Sequence, residues 1–373
     1  MLQSHRRAHA RIAAALFGGL GLQVGAWAVL IPHLVASRGL SPAGLGAALA
    51  VLAATSIGSL AVAGPLADRI GRRPLAVAGV AGFGVVFVLL AAVEAQAALW
   101  PLMALYGLFN GFLDLAANAI GSDYERAHDR RAMIRLHAGF SGAAAAGALL
   151  AGAVGPDAYW VVAALYGALA AAAAAAPLPP HEQAQDEHVG ASGRLALLRV
   201  PAIAVAVGLV TLCFFGDGAI EGYAALFLRD ALESGALLTG VALAAFHSAS
   251  LIGRLVFSRP QNERLVLTIA GLLASGAMAV VVAAGSAAVA AAGLLVVGFA
   301  LAPVVPTALS LAGRSAPGRS ATAVSLVTTV GYSAFVLGPP AVGALAGVTS
   351  LRTALIPVVA STAAIALLAR RVR

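Results

Sequence analysis

The stretch Gly64–Pro74, GPLADRIGRRP, places four charged residues and two prolines between two long apolar runs. The chain of 373 residues is otherwise 61% hydrophobic and only 10% charged, with a mean hydropathy of +0.94. Such a composition lies far outside the range of water-soluble domains. A short charged break between apolar runs is typical of a loop between two membrane-spanning helices.

A helix needs about 20 apolar residues to cross a hydrocarbon core about 30 Å thick. Dividing the chain by that length predicts an all-α, polytopic membrane protein of twelve helices. The first apolar run extends to Ala36, beyond the length of a signal-peptide core, which predicts an uncleaved first span. The predicted helices cover 12–36, 43–63, 74–93, 97–121, 133–154, 158–178, 200–228, 236–257, 265–285, 287–312, 320–346 and 352–369.

The arginines support this division independently. The chain has no lysine, and with a cytoplasmic N-terminus 20 of its 23 arginines fall in cytoplasmic segments, as the positive-inside rule requires. We therefore expect a multi-pass protein of the cytoplasmic (inner) membrane with both termini in the cytoplasm. The net charge of +8 is explained by this placement and does not indicate a nucleic-acid partner.

The one long polar segment divides the predicted helices six and six. It gives an N-terminal six-helix bundle at 1–178, a cytoplasmic linker at 179–199 and a C-terminal six-helix bundle at 200–373. GAWAVLIPHL from Gly25 recurs in outline as EGYAALFLRDAL from Glu221, which indicates a duplicated unit with a solute site between the halves. The expected partners are a small solute, protons and the lipid bilayer, and we expect the monomer to be functional.

Gly64–Arg73 resembles the signature loop of the major facilitator superfamily, G-x-L-[AG]-D-R-x-G-R-[RK]. From the residues alone, we interpret it as a tight cytoplasmic turn that glycines permit and arginines hold at the membrane surface. A plain positive-inside anchor is the alternative. The resemblance implies the twelve-helix facilitator fold and a role in conformational gating for Gly64, Asp68, Arg69, Gly71, Arg72 and Arg73.

A second resemblance covers GLFNGFLDLAANAIGSDYERAHDRRAMIRLHAGFSG, from Gly107 to Gly142. It is similar to a subgroup of small bacterial facilitators distantly related to fucose permeases. Asp114-Leu-Ala-Ala-Asn118 resembles the Glu-x-Ala-Ala-Asn of fucose permeases, where the acid serves sugar and proton binding. We assign Glu125 and Arg131 of the same segment to a cytoplasmic charge network that takes part in gating.

Acids inside spans are costly, at about 2.5–3.5 kcal/mol each, and so indicate function. Asn110, Asp114 and Asn118 share one helical face, and Asp217 and Glu221 are one turn apart. We expect Asp114 to be the coupling or solute-binding acid, with Asp217 and Glu221 as its partners. The alternative is that these polar groups only join helices through hydrogen bonds. The predicted substrate-binding or proton-coupling residues are Gln23, Trp27, Asn110, Asp114, Asn118, His137, Asp217, Glu221 and Tyr223. His247, like His137, is interpreted either as a proton carrier or as a packing residue.

These features together predict a secondary transporter, a proton-coupled symporter of a small polar solute such as a sugar. Proton-coupled efflux of drugs or metabolites and a non-transporting sensor of the same architecture are the alternatives. We expect no enzyme, because the short loops leave no room for a catalytic or signalling domain. No P-loop, H-E-x-x-H or metal-ligand motif appears in the sequence, so no cofactor is predicted.

Overall fold

The computed structural model describes residues 2–128, 132–180, 196–257, 262–316 and 319–372, and within these ranges it contains helices and no strand. Six long helices form the first half. They are α1 (Leu2–Ser37), α2 (Pro42–Ile70), α3 (Arg72–Ala92), α4 (Leu99–His128), α5 (Met133–Val154) and α6 (Ala158–Ala175).

The second half repeats this plan with two interrupted spans. Its helices are α7 (Pro201–Leu226), α8 (Ala236–Val256), α9 (Glu263–Ala283), α10 (Ala287–Leu301), α11 (Val304–Arg314), α12 (Ser320–Val348), α13 (Leu351–Ala354) and α14 (Ile356–Ala369). Helices α10 and α11 together form the predicted tenth span, interrupted at Pro303, which has no N–H to continue the ladder. Helices α13 and α14 form the twelfth.

Eleven stretches of the described residues are long and apolar enough to cross a membrane, and one of them, Arg135–Ala175, contains both α5 and α6. Gly21 and Gly25 of α1 face Phe140 and Ala144 of α5, so these two helices are parallel. Tyr166 of α6 instead hydrogen-bonds to the carbonyl of Gly19 at 2.6 Å, while His33 contacts Tyr159, so α6 is antiparallel to α1. The chain therefore reverses between α5 and α6, in agreement with twelve spans.

Contacts divide the chain into two compact units, Met1–Gln183 with Gly235–Ala244 and Ala184–Ser234 with Ala245–Arg373. Within the first unit, α1 packs on α5 and α3 packs on α6. Within the second, α7 packs on α12 and α9 packs on α14, which are the equivalent pairs. This repeated packing order supports the duplication inferred from sequence. The predicted linker falls largely on 181–195, outside the described residues, so its limits stay a prediction.

Glycines allow α1 and α5 to approach each other closely. A Cβ on Gly25 would overlap the carbonyl of Ala144, and one on Gly147 would overlap that of Leu22. Small residues at a helix interface permit this packing inside a membrane, where lipid tails are as apolar as leucine. The contact fixes the position of α1, which carries part of the candidate site.

The prediction that all of Gly64–Pro74 forms a turn is wrong in extent. Helix α2 continues to Ile70 and α3 begins at Arg72, so the turn is Gly71 alone. Its φ of 88° lies in the left-handed region that favours glycine, and its N–H donates to the carbonyl of Ala67 at 2.9 Å. Helix α4 likewise extends seven residues past the predicted end. Charge marks where the apolar core stops, but helical hydrogen bonds continue beyond it.

Candidate functional site

A polar array joins α1 and α4 in the first unit. Gln23 is only 2% exposed, and its amide donates to Oδ1 of Asn110 at 3.4 Å while accepting the hydroxyl of Tyr106. Two residues predicted from sequence thus meet in the structure, and the amide orientation of Gln23 is fixed by both bonds. Sequence reasoning missed Tyr106, although it lies one turn before Asn110 on the same face of α4.

An aromatic platform lies beside this array. The ring of Trp27, one turn after Gln23 on α1, is centred 4.9 Å from that of Tyr106. Phe83 of α3 contacts Tyr106 edge-on at 5.0 Å and holds that ring in place. Flat apolar surfaces next to fixed amides suit a solute with one apolar face and several hydroxyls.

Asp114 and Asn118 continue the polar face along α4. The side-chain amide of Asn118 donates to Oδ1 of Asp114 at 2.9 Å and to the Asp114 carbonyl at the same distance. Both side chains are part-exposed. This bond uses only part of the hydrogen-bonding capacity of the Asp114 carboxyl group, so its oxygens can accept further hydrogen bonds from a bound solute.

The second unit contains a separate cluster on α7 and α8. Nε2 of His247 lies 3.3 Å from Oε1 of Glu221, and the His247 side chain is buried. One turn earlier on α7, Asp217 accepts the Cys213 thiol at 3.9 Å and lies within electrostatic reach of Arg254. Sequence reasoning treated Arg254 only as a topology signal. The heptad spacing of His247 and Arg254, which puts both on one face of α8, was the signal that could have found this cluster.

Two other predicted residues occupy different environments. Tyr223 is fully buried in α7, so its hydroxyl is closed to solvent in this structure. His137 is exposed near the start of α5 and contacts the ring of Phe17 edge-on at 5.0 Å. Their proposed parts in binding or coupling stay predictions.

The signature segment contributes an ion-pair cluster at the α2–α3 end of the first unit. Arg72 pairs with Asp123 of α4 and donates to the carbonyl of Ala119 at 3.1 Å, and Arg126 contacts the other oxygen of Asp123 at 2.5 Å. Asp123 is 1% exposed. Sequence reasoning missed this acid because the predicted α4 ended at 121.

The other gating candidates have distinct surroundings. Arg73 donates to the last carbonyls of α6, Ala173 at 3.3 Å and Ala174 at 2.6 Å, which caps that helix. Arg69 is exposed, and a Cβ on Gly64 would meet open space. The side chain of Asp68 lies outside the described residues.

Glu125 caps the start of α5. Its carboxylate accepts the backbone N–H groups of Ala132 and, at 2.8 Å, of Met133, which satisfies two of the unpaired donors at a helix N-terminus. It therefore stabilises the α4–α5 connection directly. Its predicted partner Arg131 lies outside the described residues. Across the described part of the chain, no group of three or more His, Cys, Asp or Glu residues could hold a metal ion.

Comparison with known proteins agrees with this architecture. Residues 13–339 match the Major Facilitator Superfamily. Membrane protein MosC of Rhizobium meliloti is 28% identical over 91% of this chain and 84% of its own length, and an uncharacterised MFS-type transporter of Yersinia pestis is 27% identical over 90% and 88%.

Solved structures show the same fold at low sequence identity. A mutant of the nucleoside transporter NupG has a TM-score of 0.80 at 13% identity, covering 98% of this chain and 100% of its own. A bacterial homologue of the human lysosomal transporter Spinster has a TM-score of 0.73 at 15% identity, covering 98% and 97%.

Proposed function

Because the chain belongs to the major facilitator superfamily, a family of membrane transporters, we propose that it is a secondary active transporter. It moves a small polar solute, sugar-like or another metabolite, by alternating access and proton-coupled symport. Its location is the cytoplasmic membrane, with both termini on the cytoplasmic side, because that orientation puts 20 of 23 arginines on the inner surface.

The observation that carries this proposal is the polar face of α1 and α4. The amide and carboxylate groups of this face are those of Gln23, Asn110, Asp114 and Asn118, and they lie within two predominantly apolar helices. Polar groups at membrane depth are costly, and mark solute pathways when they are kept. Trp27 and Tyr106 provide an apolar surface next to them. In our proposal the array binds the hydroxyl or amide groups of the solute, and Asp114 accepts hydrogen bonds from it.

The experiment is flux into proteoliposomes with an imposed inward proton gradient. The probes are tritiated sugars, nucleosides and organic anions, each tested for gradient-driven accumulation and for exchange without a gradient. For a transported probe, Gln23→Leu should abolish exchange, because it removes the donor to Asn110 and the acceptor for Tyr106. The matched control is Gln96→Leu, which changes the same side chain at an exposed position. Gradient-driven flux of the probe out of the liposomes would contradict uptake and support efflux. Binding of a probe without any flux would contradict transport and support a sensor.

A further inference from the structure

We infer that the Glu221–His247 pair of the second unit is the binding site for the coupled proton, and that it takes up one proton per protein. The inference deepens the proposed function. It rests on that function for the statement that this proton is coupled to transport. It assigns solute binding to the array on α1 and α4 and proton binding to α7 and α8. Of the two interpretations that the sequence left open for His247, proton carrier and packing residue, the inference selects the first and names Glu221 as its partner.

The geometry of the pair suits the binding of a proton between the two side chains. Nε2 of His247 and Oε1 of Glu221 are 3.3 Å apart, but their alignment does not make a hydrogen bond. Within the described residues, Oε2 of Glu221 is buried and has no hydrogen-bond partner. A buried polar atom without a partner costs free energy, and a proton on the Glu221 carboxyl group would let that group donate a hydrogen bond to the neutral imidazole of His247.

The surrounding charges set the number of protons. Around the pair, α7 contributes the carboxylates of Asp217 and Glu221, and α8 contributes the guanidinium of Arg254. Arg254 acts electrostatically on both Asp217 and His247. With neutral His247, two carboxylates and one guanidinium leave one uncompensated negative charge. An uncompensated charge in a membrane interior is unfavourable, and binding one proton removes it.

Within the described residues, the other elements packed on α7 and α8 do not change this count. The short segments at the two ends of α7 carry Arg199, which is exposed, and Arg229 and Asp230, which pair with each other at 3.7 Å. Helices α10 and α14 contain no ionisable residue, and α12 contains only Tyr332. Arg314 of α11 pairs with Glu263 at 2.7 Å. The remaining ionisable groups of α7 are the neutral thiol of Cys213 and the phenol of Tyr223.

The pair differs from Asp114 in a way that separates the two roles. Asp114 is part-exposed and accepts an amide hydrogen bond at 2.9 Å, so its carboxyl group already has a donor and is accessible to a solute. Glu221 has a buried, unpartnered oxygen and a basic nitrogen nearby. Glu221 therefore lacks the hydrogen-bond donor that Asp114 already has, and a proton shared with His247 would complete the bonding of Glu221.

The test uses purified full-length protein in detergent and the proton itself as the probe. Infrared difference spectra between alkaline and acidic buffer follow the C=O band of a protonated carboxyl group that is shielded from solvent. Wild type should gain this band with the intensity of one carboxyl group, Glu221→Gln should lose it, and His247→Gln should move the pH at which it appears. In Asp217→Asn the charge of the Glu221 carboxylate is compensated by the Arg254 guanidinium. Glu221 then has less need of a proton, so its band should be weaker. The control Glu263→Gln removes an acid from a surface ion pair and should leave the band unchanged.

Labelling of Cys213 by a maleimide verifies that each variant stays folded, because this single cysteine is 1% exposed in α7. A folded wild type with no such band, or a band of unchanged size in folded Glu221→Gln, would overturn the inference. Unchanged spectra for both His247→Gln and Asp217→Asn would overturn it as well. Failure of the transport proposal is separate: it appears as absent flux in proteoliposomes, whatever the spectra show.

Discussion

The ion pair between Arg72 and Asp123 should be a principal stabilising contact of the first unit. Asp123 is 1% exposed and the Arg72 side chain is 16% exposed, so removing one partner leaves the other charge largely buried. Breaking a buried pair in this way costs about 3–5 kcal/mol. Because Arg72 keeps its bond to Ala119, we take the lower value for Asp123→Asn, about 3 kcal/mol. That is roughly a 100-fold larger unfolded population.

The chain offers separate probes for the two units. All three tryptophans, Trp27, Trp100 and Trp160, belong to the first unit, while Cys213 belongs to the second. Unfolding in mixed micelles with increasing sodium dodecyl sulfate, followed by tryptophan fluorescence, should show the loss of about 3 kcal/mol in Asp123→Asn. Maleimide labelling of Cys213 under native conditions should be unchanged.

A double-mutant cycle isolates the pair. Arg72→Gln should also destabilise the unit, and the double variant should be no worse than the more damaging single one, giving a coupling energy of about 3 kcal/mol. The control Arg126→Gln removes the 45% exposed partner of the same acid and should cost no more than about 1 kcal/mol. Additive effects of Arg72→Gln and Asp123→Asn, or a larger effect for Arg126→Gln, would refute the reasoning.

Two further predictions concern packing and capping. Gly25→Leu should lower the free energy of unfolding by about 3 kcal/mol in the tryptophan assay, because the new side chain would overlap the Ala144 carbonyl. The control Gly58→Leu, whose side chain points into open space, should retain wild-type stability. Equal effects of the two variants would refute the close approach of α1 and α5. Arg352→Gln should accelerate labelling of Cys213 roughly 30-fold, equivalent to about 2 kcal/mol. The reason is that Arg352 donates to the carbonyls of Val282 and Ala284 at the end of α9 and lies 5.4 Å from the ring centre of Phe227. Unchanged labelling would contradict that role.

Much of the architecture could be predicted because one physical constraint dominates this sequence. Backbone groups must be paired inside a bilayer, so each apolar run of sufficient length has to be a helix. Arginine placement then gave an independent check on the number of spans. The ends of the helices were less predictable: α2 and α4 continue through the charged residues after 63 and 121, because the helical ladder does not need an apolar environment.

The candidate site was predicted unevenly for the same reason. Periodicity put Gln23, Asn110 and Asp114 on polar faces, and the structure joins the first two directly. Partners that depend on tertiary packing could not be derived this way. The contact of Glu221 with His247 brings together two helices that the sequence connects only through a turn, and spacing along one helix does not show which face meets which neighbour.

The central claim is that solute binding and proton binding belong to different units. The most direct measurement compares Asp114→Asn and Glu221→Gln in proteoliposomes, for both exchange and gradient-driven accumulation of a transported probe. We predict that Asp114→Asn loses exchange and accumulation together, because it weakens solute binding. Glu221→Gln should keep exchange and lose accumulation, because its neutral side chain no longer takes up a proton. Retained exchange with lost accumulation in Asp114→Asn, together with normal accumulation in Glu221→Gln, would contradict the account and make Asp114 the proton carrier.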